Sequence, residues 1–192
     1  MGKERLTAFT DGVVAIIITI MVLELKVPHS TSPGDLAAMA PTFLTYVLSF
    51  TYVAIYWNNH HHMLAAVKTV TGPILWANMH LLFWLSVVPF ATAWMGENHL
   101  SPLPVATYGF VLIMNATAYT ILMLMLVRNE GPDSAIARAM GSDWKGRISW
   151  LAYAAAIVLA FFQPLAAKVI YLVVAMVWFI PDPRVERALK GG

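Results

Sequence analysis

Three long stretches of this chain, residues 36–67, 69–96 and 98–127, contain no aspartate, glutamate, lysine or arginine. A helix needs roughly 20 predominantly apolar residues to cross the hydrocarbon core of a bilayer, so each stretch holds one crossing and its ends. A further crossing precedes them, with Asp11 near its start and Glu24 near its end. Overall, 59% of the residues are apolar and 11% are charged, against roughly 25% charged in a soluble domain. So few charges cannot coat a water-soluble globule, whereas an apolar exterior in lipid fits. The absence of cysteine removes disulfides and thiolate metal sites. A net charge of +2, with the basic residues at span ends, leaves no patch for nucleic acid. The first apolar run lacks a small-residue cleavage site and continues into Glu24, Leu25 and Lys26, which predicts a retained helix.

The C-terminal part needs a length argument. Residues 148–167 and 169–181 are uncharged, with Lys168 between them. One helix over 148–180 would be roughly 50 Å long at 1.5 Å per residue, too long for a core of about 30 Å. Gln163-Pro164 therefore predicts a tight turn between two short helices. The expected spans are about 7–27, 36–60, 71–95, 104–127, 148–163 and 165–181, forming a single all-α transmembrane domain over 1–192.

Six spans place Lys3, Arg5, Lys68, Arg128, Arg138, Lys145, Arg147, Arg184, Arg187 and Lys190 on one side, against Lys26 and Lys168 on the other. By the positive-inside rule both termini are cytoplasmic, as in a multi-pass plasma-membrane protein. With five spans the tail changes sides and the asymmetry weakens. Pro28, Pro33 and Gly34, and then Gly96, Pro102 and Pro104, mark short external turns. Residues 128–147 form the longest polar segment, with a brief amphipathic helix expected over 133–140. Trp57, Trp76, Trp94, Trp144 and Trp178 fall near span ends, as an aromatic belt does.

The first span carries the unusual residues. At about 100° per residue, Gly12, Thr19, Ile20, Leu23 and Val27 lie within about 60° of Ile16, while Asp11 points about 140° away. One face is thus a branched apolar stripe with a single hydroxyl. Such a stripe more often faces lipid or packs than lines a pore, and Thr19 can bond back to its own helix, so spacing alone does not make a channel. Arg5 and Asp11 are six apart, not the i, i+4 spacing of a helix pair.

Arg5-Leu6-Thr7-Ala8-Phe9-Thr10-Asp11 resembles the Arg-x-x-x-Phe-Ser-Asp signature of the transmembrane protein 175 family of potassium channels, with Thr10 keeping the hydroxyl of the serine. Residues 12–25 resemble the rest of that family's first helix. Tyr56-Trp57-Asn58-Asn59-His60-His61 is similar to its Trp-x-x-His-His pattern, and residues 85–92 to its Ser/Pro/Phe segment. The resemblance implies a homotetramer of six-helix subunits in a lipid bilayer, conducting potassium ions through a central pore lined by the first helices. It implies a constriction at Ile16, with Ile20 and Leu23 further along the same face, and a potassium-preferring hydroxyl at Thr19. No cofactor is implied; potassium is the permeant ion.

On that arrangement four Ile16 side chains would make an apolar ring that resists wetting. Glu24 and Asp35 near the external mouth would raise the local cation concentration. Arg5, Phe9, Thr10 and Asp11 would join Trp57, Asn58, His60 or His61 in a network that fixes the first helix.

Two rival functions use other residues. His60, His61 and His62, with His80 and Glu97, suggest a membrane-embedded metal enzyme. However, consecutive helical residues point about 100° apart, so one helix cannot chelate through all three histidines. A secondary transporter would show inverted repeats and broken helices; no repeat is visible, and only Pro89 offers a break.

Overall fold

The computed structural model describes residues 2–28, 30–140 and 143–179. Arg184, Arg187, Lys190, His29 and the end of the sixth expected span lie outside the described residues. All regular structure among the described residues is helical, in the order α1 (Lys3–Leu23), α2 (Pro33–Ala38), α3 (Ala40–Ala65), α4 (Gly72–Glu97), α5 (Pro102–Glu130), α6 (Ala135–Met140), α7 (Trp144–Ala160) and α8 (Pro164–Phe179).

Proline sets most of the starts. Pro73 and Pro102 stand in the first turns of α4 and α5, where a missing N–H costs nothing. Ser32 caps α2 by accepting from the Gly34 N–H at 3.2 Å. Pro41 separates α2 from α3, because it cannot donate to the Ala37 carbonyl. The second long helix therefore begins at Ala40, not at 36, and runs on to Ala65. Likewise α1 stops at Leu23 rather than 27, with Glu24 as its cap. Gly131, at φ +93°, ends α5 in the left-handed region open to glycine. Between α7 and α8 the chain turns at Phe161, Phe162 and Gln163, and Pro164 opens the last helix. Pro89 lies inside α4, which continues through it.

Among the described residues three helices, α1, α4 and α5, are long and apolar enough to cross a membrane. The 26 residues of α3 are diluted by Thr, Tyr, Trp, Asn and His, while α7 and α8 have 17 and 16 residues.

The packing order follows from which faces are buried. α4 packs on α1, α3 and α5; α5 packs on α7 and α8; α8 returns to α3. α1 touches α3 and α4 and stands at the edge of the bundle.

Hydroxyls stitch the interior together. The Ser49 and Tyr108 hydroxyls are 2.9 Å apart, and Thr92 donates to Ser49 at 2.7 Å. Tyr52 donates to the Tyr171 carbonyl at 2.6 Å, and Tyr171 to the Val105 carbonyl at 3.1 Å. Where water is absent such groups need partners inside the protein. Gly109 is the contact point of α5 and α8, since a Cβ there would lie 2.2 Å from the Tyr171 hydroxyl oxygen.

Candidate functional site on the first helix

α1 divides lengthwise into two faces. Leu6, Thr10, Val14, Ile17 and Met21 are buried, on the side that packs against α3 and α4. Phe9, Gly12, Ile16, Thr19, Ile20 and Leu23 are exposed, with Ile16 at 60% and Leu23 at 75%. Two clean faces on one helix follow from its 3.6-residue period. The residues that helical spacing groups around Ile16 are thus those the bundle leaves uncovered. At Gly12 a Cβ would meet nothing within 4 Å, so this position, one turn before Ile16, is uncovered as well.

Thr19 is the only hydroxyl on the exposed face beyond Asp11. Its Oγ1 donates to the Ala15 carbonyl at 2.9 Å. A threonine hydroxyl has one proton and two lone pairs, so this bond uses the donor and leaves acceptor capacity outward.

Two polar links tie α1 to its neighbours, one exposed at the edge of the contact and one buried within it. Asp11 Oδ1 accepts from Trp57 Nε1 of α3 at 2.8 Å. One position earlier, Thr10 Oγ1 accepts from Asn78 Nδ2 at 3.0 Å, and Asn78 Oδ1 lies 2.7 Å from His60 Nε2. That oxygen is only an acceptor, so His60 donates through Nε2. Thr10, Asn78 and His60 are all buried, and one amide thus joins α1, α3 and α4.

The remaining residues of the expected network stand apart. Arg5 and Asn58 are exposed, and their side chains form no hydrogen bond or ion pair with other described residues. His61 is exposed and stacks loosely on Trp57, with ring centroids 6.1 Å apart. His60 turns to Asn78 while the His61 and His62 rings meet edge to face with centroids 5.6 Å apart, and no three His, Asp or Glu among the described residues are grouped to hold a metal. His80 accepts from Trp84 Nε1 at 3.0 Å within its own helix.

Two connections were not foreseen from the sequence. Lys3 Nζ donates to the Ala65 carbonyl at 3.0 Å, tying the start of α1 to the end of α3. A lysine at a helix C-terminus meets unpaired carbonyls, but which helix it reaches is not written in local spacing. At the opposite end Lys26 forms an ion pair with Glu97. The hydrogen bond to Glu97, then its charge, holds the Lys26 ammonium above its usual range. Both partners are well exposed, so the pair adds little stability. Glu24 and Asp35 are exposed, and Asp35 accepts from the Ser30 hydroxyl.

The family described as "Endosomal/lysosomal potassium channel TMEM175" matches residues 5–89. A potassium channel of Chryseobacterium sp. is 55% identical over 190 residues, 99% of each chain. A potassium channel of Streptomyces collinus is 35% identical over 132 residues, covering 65% of this chain and 64% of that one. Among solved structures, the crystal structure of a lysosomal potassium-selective channel TMEM175 homolog from Chamaesiphon minutus superposes with a TM-score of 0.80. It shares 25% identity, covering 92% of this chain and 95% of that one.

Proposed function

Because this chain belongs to the TMEM175 family of potassium channels, we propose that it conducts potassium as a homotetramer of six-span subunits, with α1 of each subunit lining a central pore. The observation that carries the pore assignment is the division of α1. Its far side is locked to α3 and α4, while Ile16, Thr19, Ile20 and Leu23 stay uncovered. A fourfold axis facing that stripe would bring four copies of each side chain together.

The chemistry then follows from residue type. Four Ile16 side chains form an apolar neck whose wetting sets conductance. Thr19 oxygens lie one turn further on and replace part of the ion's hydration. Potassium dehydrates at lower cost than sodium, so a neck with few ligands favours it. Asp11 and Thr10, bonded to Trp57 and Asn78, hold the helix in rotation so that the stripe keeps facing the axis. Glu24 and Asp35 lend negative charge at the outer mouth, an effect that falls with ionic strength. The protein lies in the plasma membrane with both termini in the cytoplasm, on the charge asymmetry of its loops.

Bi-ionic recordings from reconstituted protein test this. Thr19→Val is expected to lower the potassium-over-sodium permeability ratio. Ile16→Asn is expected to raise leak several-fold by wetting the neck. Reversal potentials and leak unchanged in both variants would remove α1 from the pore.

A further inference from the structure

A cavity of about 320 Å³ lies between α3, α5, α7 and the end of α8. It exists because α3 packs on α1, α4 and α8 but makes no broad contact with α5 or α7. The volume is that of about ten waters at ~30 Å³ each, at the lower end of small-ligand sites. Its walls are aromatic: Tyr52, Tyr56, Tyr119, Trp150, Tyr153 and Trp178 all line it. The inner end is closed by Tyr153 donating to the Tyr52 hydroxyl at 3.2 Å. Tyr56 and Tyr119 meet edge to face, with centroids 5.9 Å apart. Neither of their hydroxyls bonds to another described residue.

Among the described residues, the charged side chains that line the cavity are Asp143 and Arg147, at its mouth. Asp143 is half-buried and sits at φ 39°, where its carboxylate caps α7 by accepting from the Gly146 N–H at 3.3 Å. Burial pushes its carboxyl up, while that N–H and Arg147 pull it down. Arg147 is exposed and forms no ion pair with Asp143, so water screens its charge. Asn59 spends its amide N–H on the Ile55 carbonyl at 2.9 Å, leaving its own oxygen as an acceptor.

We propose that this cavity binds an organic ammonium ion with an apolar body, its charge held by the ring faces and by the Asp143 carboxylate. The electron-rich faces of tyrosine and tryptophan attract cations. The Tyr56 and Tyr119 phenols can accept as well as donate, the Asn59 amide oxygen accepts, and the half-buried carboxylate has no ion pair among the described residues. An anion could take the two phenol O–H groups as donors, but it would meet the negative ring faces and the Asp143 carboxylate, with the Arg147 charge exposed to water. The site lies across α3 from α1 and stands independently of the pore assignment.

Benzyltrimethylammonium, titrated by calorimetry into the full chain in maltoside micelles, tests it. Saturable binding is expected, weakened about tenfold by Asp143→Asn and several-fold by Tyr119→Leu. Asparagine keeps the cap and tolerates positive φ, so the first variant folds. Arg147→Gln is expected to leave binding unchanged or tighten it, and benzenesulfonate is expected not to bind. No saturable binding, benzenesulfonate binding lost in Arg147→Gln, or affinity unmoved by Asp143→Asn and Tyr119→Leu would each overturn the proposal. If Ile16→Asn alone altered the affinity, the cation would belong to the first-helix pathway and this cavity would be left without a ligand.

Discussion

Thr10 and Asn78 are 68 positions apart in the chain and joined by one hydrogen bond. Thr10→Val removes the acceptor and leaves an amide N–H unpaired in a water-free interior. Polar links between membrane helices average about 0.6 kcal/mol and reach about 1.7, so we expect a loss of about 1 kcal/mol. Thr10→Ser keeps the oxygen and should be near neutral; apparent melting midpoints in detergent check both. The Thr10 hydroxyl was legible because it stands in a motif beside Asp11. Asn78 was not, because a single asparagine in an uncharged stretch has no periodic signature and its partners come from other helices. Arg5 shows the opposite case: charge beside a span draws attention, yet this arginine reaches no described partner.

At the scale of elements, close approach of α5 and α8 depends on an absent side chain. Gly109→Ala would drive a Cβ to 2.2 Å from the Tyr171 hydroxyl oxygen. Overpacking of this kind typically costs about 1–3 kcal/mol. Tyr171→Phe on that background removes the nearest atom and should recover part of the loss, read again as a shift in melting midpoint. Helix positions were largely legible, since charges and prolines mark the ends. The start of α3 was missed because hydropathy runs smoothly through 36–40 while Pro41 interrupts the backbone. Pro89 misleads in the other direction: it marks a possible break, yet α4 carries on through it. The aromatic cavity was invisible, because its walls come from four helices and each tyrosine alone reads as core.

For the whole molecule, the edge position of α1 decides most. An apolar stripe reads the same whether it meets acyl chains or three further copies of itself, so hydropathy cannot separate them. The motifs around Arg5, Trp57 and Ser86 point instead to a family, which the 55% identical relative bears out, and the proposed function then turns the stripe toward its own copies. Native mass spectrometry in detergent should find four copies of the 21.2 kDa chain. A monomer across all mild detergents would return the stripe to lipid.

If α1 lines the pore as proposed, the bond from Thr19 to the Ala15 carbonyl bears on what sort of particle the helix can welcome. With its hydrogen occupied, the side chain shows a passer-by electron density alone. Chloride would gain nothing from it, whereas a bare metal ion would. Threonine does not ionise in the biological range, so a sorting of cations from anions that rests on this atom should be the same in acid and in alkali.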